Sequence, residues 1–223
     1  GQETFPTAML FNDDGTSLYV MGFSGDDINE YPLPTPYDIS SYTSGTSIAL
    51  SVSAQEGNPF EMTFNGDGTA LYVMGSAGED INAYPLPIPY DISSYTSGTS
   101  VVLDVSGQEA QPTDMLFNDD GTILYVTGWA GRDITAYPLD TPYDISSYTS
   151  GTSIVLSISV QESNPVAMVF SQNGTILYVM GNGGGDINAY PLDTAYDISS
   201  YTSGTSIALD VSGQDTDPRE LLF

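Results

Sequence analysis

Cysteine, histidine and lysine are absent from the 223 residues, and Arg132 and Arg219 are the only basic side chains. Without cysteine there is no disulfide framework and no thiolate site. Catalysis also loses its usual parts: no His or Lys base, no Cys nucleophile and no G-x-S-x-G elbow. Against two cations stand 29 Asp and Glu, a formal charge of -27. Such a field disfavours nucleic acid and anionic membranes as partners; it favours solubility, divalent cations or a screening medium. No run is long and apolar enough to span a bilayer, and no leader or basic targeting segment is visible. The chain opens at Gly1, as a processed or excised segment would. The composition points to an extracellular or cell-surface setting, with no direct membrane insertion.

What is present is repetition. FNDDGTSLYVMGFSGDDINEYPL at Phe11–Leu33 returns at Phe64–Leu86, Phe117–Leu139 and Phe170–Leu192, always 53 residues later and without gaps. Units this small cannot bury their own apolar faces and must pack on one another. Each unit carries the same order of signals. The apolar run Thr7–Phe11 leads to the turn Asn12–Gly15, then to Leu18–Met21, where both alternating faces are apolar. A glycine-rich loop, Gly22–Asp27, precedes a third strand at Ile28–Leu33, which should end near Pro32. The connection Tyr37–Ser47 is identical in all four units and should hold a helical turn near Tyr37–Ser41 capped by Asp38. A fourth strand, Ile48–Ser53, alternates as an outermost strand should.

Four short strands in a period near 50 predict an all-β chain: a β-propeller built of four-stranded antiparallel blades, 53 residues per blade. The blades are placed at 5–53, 58–106, 111–159 and 164–212, with an extra innermost strand at 217–223. Leu221, Leu222 and Phe223 in that strand are expected to serve assembly, through further blades, a second copy or strand exchange. A closed four-bladed ring with an overhanging tail is the simpler alternative.

Phe11, Gly15, Thr16, Tyr19, Val20, Gly22, Ile28, Tyr31, Leu33 and Tyr37–Ser40, with their copies, carry a family likeness. They resemble bacterial and phage extracellular propeller repeats of the form F-x-x-D-G-T-x-x-Y-V-x-G…Y-D-I-S, and more loosely YVTN/NHL-type propellers. The resemblance implies blade architecture and leaves activity open, since propellers host lectins, enzymes, adhesins and scaffolds.

Two sets of residues are candidates for a site. Asp27 with Glu56, Asp80 with Glu109, Asp133 with Glu162 and Asp186 with Asp215 are placed on one rim, where carboxylates in glycine-rich loops suit calcium. The plainer reading has Asp27 capping its loop through backbone N–H groups and Glu56 solvated. The second set is aromatic: Tyr37 and Tyr42, Tyr90 and Tyr95, Tyr143 and Tyr148, Tyr196 and Tyr201, with Trp129 and Arg132 in the third unit. These could face surface glycans or protein, or cover the blades. Near-identical units give symmetric acidic rings where acid–base chemistry wants two divergent carboxylates, so no enzyme is expected. The expected function is a non-catalytic structural or adhesive module acting through repeated rim loops. A calcium-dependent lectin and a filament or surface-layer subunit are the alternatives.

Overall fold

The computed structural model describes residues 3–213, 215 and 219–221. Among them the chain is all-β, with four β-propeller blades, each a four-stranded antiparallel sheet in chain order. Blade 1 holds β1 (Pro6–Phe11), β2 (Ser17–Gly22), β3 (Asp27–Pro32) and β4 (Ile48–Ser51). Blade 2 holds β5 (Pro59–Phe64), β6 (Ala70–Gly75), β7 (Asp80–Pro85) and β8 (Val101–Asp104). Blade 3 holds β9 (Pro112–Phe117), β10 (Ile123–Gly128), β11 (Asp133–Pro138) and β12 (Ile154–Ser157). Blade 4 holds β13 (Pro165–Phe170), β14 (Ile176–Gly181), β15 (Asp186–Pro191) and β16 (Ile207–Asp210). The chain divides into two compact units, Gly1–Asp104 and Val105–Phe223, with two blades in each.

Local chemistry explains the strand ends. Asp14 Oδ1 accepts from the Thr16 backbone N–H at 3.0 Å, so the hairpin's acid works as a turn residue. Asn173 does the same for Thr175 in blade 4, which is why the charge can be lost there. The third strand stops at its proline in every blade, as the missing N–H requires. Beyond it a short 3-10 turn, Ile39–Ser41 and its copies, is capped by Asp38, whose carboxylate accepts from the Ser40 N–H. The fourth strand is shorter than its alternation suggests, ending at Ser51 instead of Ser53.

Within each unit the core lies between the two blades. In the first, Tyr19, Met21 and Ile28 of blade 1 pack against Met62, Leu71, Val73 and Ile92 of blade 2. In the second, Tyr125, Ile134 and Ile158 meet Met168, Leu177, Val179 and Ile198 in the same way. Within each unit one apolar face of the inner strands serves this contact. Polar ties repeat too. The Tyr19 hydroxyl donates to the Tyr90 carbonyl, and Tyr125 to that of Tyr196. Each innermost strand is bulged near its start, where Thr7 Oγ1 donates to the Pro59 carbonyl at 3.0 Å. Thr113 does so to Pro165 at 2.9 Å.

Of the predicted fifth innermost strand, residues 219–221 are described and carry no strand. Leu221 packs on Val166, Ala167 and Met180 of blade 4; Leu222 and Phe223 lie outside the described residues.

Candidate functional site

The acidic rim is built differently from its expectation. Glu56 and Glu109 are about 1 % exposed and Glu162 fully buried, not solvated. Each carboxylate is enclosed by backbone donors. Glu56 accepts from Asn58 N at 2.7 Å, Ala77 N at 3.0 Å and Gly78 N at 3.1 Å. Glu109 accepts from Gln111, Ala130 and Gly131, and Glu162 from Asn164, Gly183 and Gly184. The glycine-rich loop is thus an anion nest whose anion is the protein's own glutamate. Gly75 and its copies are required beside it, because a Cβ there would overlap the Glu56 carboxyl and the Asn58 carbonyl.

Calcium is therefore overturned as a cofactor. Among the described residues no three His, Cys, Asp or Glu side chains gather where a metal could be held. The glutamate oxygens that would be ligands are spent on N–H groups. The pairing was also displaced by one blade: Asp80 feels the charge of Glu56, Asp133 that of Glu109, and Asp27 that of Glu3. Asp27 does not cap its loop through backbone groups. Its Oδ1 accepts from the Asn29 side-chain amide at 2.7 Å, as Asp80 does from Asn82 and Asp186 from Asn188 at 2.6 Å. Burial, and then the neighbouring glutamate, push the Asp133 carboxyl up to about 6. Asp215 is exposed.

The tyrosines have structural places. Tyr37, Tyr90, Tyr143 and Tyr196 sit at φ between 59° and 62°, a costly conformation for a bulky residue. Their rings cover the hairpin glycines Gly15, Gly68, Gly121 and Gly174, and their N–H groups donate to those glycines' carbonyls. Tyr42, Tyr95, Tyr148 and Tyr201 stand edge-on to Tyr31, Tyr84, Tyr137 and Tyr190 with centroids 5.1–5.3 Å apart. Tyr37 is exposed and the other seven are half-buried. Trp129 leans across to Val166 and Leu221, as Phe23 leans onto Phe60 in the first unit. Arg132 is exposed at the left-handed corner of the same loop.

Three features went unread in the sequence. Glu3 is the first member of the glutamate series, one period before Glu56, and accepts from Phe5 N and Ser24 N. Asp114 accepts from Met168 N at 2.6 Å across two blades; desolvation and Glu220 hold its carboxyl well above the usual range. Its signal was a repeat position that alternates between alanine (Ala8, Ala167) and an acid (Glu61, Asp114). Glu30, buried in blade 1, accepts from Ser17 Oγ at 2.9 Å, where the other repeats carry alanine.

The blades and their order define the class, a β-propeller fold. No family model matches the chain, and no curated protein matches it. Solved structures do. A candidate 6-phosphogluconolactonase from Bacteroides fragilis is 19 % identical with a TM-score of 0.66, over 92 % of this chain and 55 % of that one. The periplasmic gluconolactonase of Pseudomonas aeruginosa gives 14 % and 0.59, over 92 % and 54 %. Sqt1 of Chaetomium thermophilum gives 18 % and 0.59, over 98 % and 50 %. The chain spans about half the length of these proteins. At such identities the likeness is one of fold. Among the described residues no helix is long and apolar enough to cross a membrane.

Proposed function

We infer that the chain is a non-catalytic extracellular module, structural or adhesive, that works through loops repeated on its blades. The observation that carries this reading is the tip of the Tyr37–Ser47 connection. Thr43–Thr46 and its three copies are identical, exposed and folded alike, with the Thr46 N–H donating to Thr43 O at 3.2 Å. Gly45 holds φ +90° in open space, which suits the turn. Packing does not require the same hydroxyl-rich tip four times over. Four equivalent weak contacts on one chain favour a repetitive target such as a surface glycan. The acidic, lysine-free composition and the resemblance to extracellular propeller repeats support the setting. Glutamates consumed by backbone donors support the absence of catalysis.

The test is binding of the 223-residue chain to glycan arrays and intact cells, with and without alanine at Thr43, Thr96, Thr149 and Thr202 together. The expected result is binding that falls at least about tenfold in the quadruple variant. Unaltered binding would remove the tips from the reading. Because two structural neighbours are named as lactonases, gluconolactone hydrolysis is the matching control. Turnover well above the uncatalysed rate would overturn the non-catalytic assignment.

A further inference from the structure

The apolar faces that blades bury against each other inside each unit are bare on one side of blade 1 and on one side of blade 4. On blade 2, Ile92 is 1 % exposed because its 3-10 turn packs on β4 of blade 1. Its copy on blade 1, Ile39, is 67 % exposed, and Met9 is 72 % exposed where Met62 is 1 %. The opposite face shows the converse. Ile48 and Leu50 on β4 pack into the core between blades 1 and 2. Their copies on β16 of blade 4, Ile207 and Leu209, are 66 % and 62 % exposed.

We propose that the bare face of blade 4 takes the bare face of blade 1 from a second copy of this chain, head to tail. The occupant follows from the interfaces already inside each unit. The face carrying Ile207 and Leu209 has the residues that elsewhere receive an Ile39-type turn, and blade 1 presents that turn. The contact is heterologous, so it closes a ring of two copies or runs on as an array. Two copies also supply about the length of the solved structures that one copy half covers. At the inner edge Leu221 already covers Ala167 and Met180, as Met62 covers Ala8 and Met21. The incoming innermost strand must displace that residue. At a charge of -27 per copy, salt should strengthen the association.

The experiment is sedimentation of the full chain across concentration at low and high salt. Species at twice the 23.7 kDa chain mass, or a ladder of multiples, are expected and should grow with salt. Ile39→Asp and Leu209→Asp each place a charge on one face only, in side chains that already meet solvent. Each alone should weaken association at least about tenfold. An equimolar mixture should recover one pairing, because each variant keeps the face the other lacks. Ile207→Asp is the second probe of the same face should Leu209→Asp fail to fold. Leu221→Asp should leave association unchanged or tighter. A chain that stays single at high salt and concentration overturns the proposal. So does association indifferent to both charges, a mixture no better than its components, or loss of association in Leu221→Asp, which would indicate tail exchange instead.

Discussion

Blades 1 and 2 share almost one sequence and live in different surroundings, so their matched residues separate what a side chain is from where it sits. Glu56 and Glu3 each enter the glycine-rich loop of a blade and accept its N–H groups. Glu56 is buried, while Glu3 bonds at the surface. Ile92 and Ile39 occupy the same turn, one covered by β4 and one in solvent. In this architecture a residue's contribution is set largely by the neighbouring blade.

The largest expected effect comes from the glutamates. Glu56→Ala would strand three buried backbone donors and open space under the loop, costing about 3–5 kcal/mol. Glu3→Ala makes the matching deletion in water and should cost about 1 kcal/mol or less. Urea unfolding of both variants, with hydrogen exchange of the two loops, measures the contrast; equal losses would show that burial does not govern the motif. Next is Ile92→Ala, expected to cost about 2–4 kcal/mol by the cavity it leaves. Ile39→Ala should stay within about 0.5 kcal/mol for the single chain.

A smaller effect of opposite sign separates the same two blades. Blade 1 buries Glu30 against Ser17, and Glu30 Oε2 makes no well-formed hydrogen bond. Burial, and then the nearby Asp91, raise its carboxyl above the ordinary range. Blade 2 has Ala70 and Ala83 at these positions. The double change Ser17→Ala, Glu30→Ala removes donor and acceptor together, and should raise stability by about 1 kcal/mol. A thermal midpoint that drops would mean that the pair, strained or not, holds the blade.

The blade itself was legible in the chain because its causes are local. Hairpin glycines, the strand-ending prolines and the Asp38 cap act within a few residues, and their positions hold to within one or two. The partner of Glu56 was not legible, because the loop it enters begins about twenty residues further on and belongs to the next blade. Alternation marks Leu18 and Val20 as apolar without saying which neighbour covers them. A solvated acid and one enclosed by N–H groups are written with the same letter. The surest available sign was arithmetic: a glutamate at every fifty-third position from Glu3 to Glu162, beside a glycine-rich loop each time.

The smallest contrast lies among the aspartates of blade 3 and is read by pH. Asp120, in the exposed hairpin, accepts from Thr122 and is held below the ordinary value of 3.8. Its stabilisation is present above that value and is lost as pH falls through its folded value. Asp133 is the reverse case, raised to about 6 by burial and by Glu109. The folded protein holds that proton more tightly than the unfolded chain. Its contribution is therefore fully present below 3.8 and is lost as pH rises through about 6. Thermal midpoints should rise modestly from pH 7 to about 5, then fall in stronger acid as the hairpin aspartates protonate. The residue beside Asp133 sharpens the test. Thr135 donates to it at 3.4 Å, whereas Asn29, Asn82 and Asn188 donate to their aspartates at 2.6–2.7 Å. Thr135→Asn restores the amide donor of the other blades, which favours the charged carboxylate. It should lower the Asp133 value and flatten the rise between pH 7 and 5, and Asp133→Asn should remove that part of the slope. Slopes parallel to the parent in both variants would place the proton on another group.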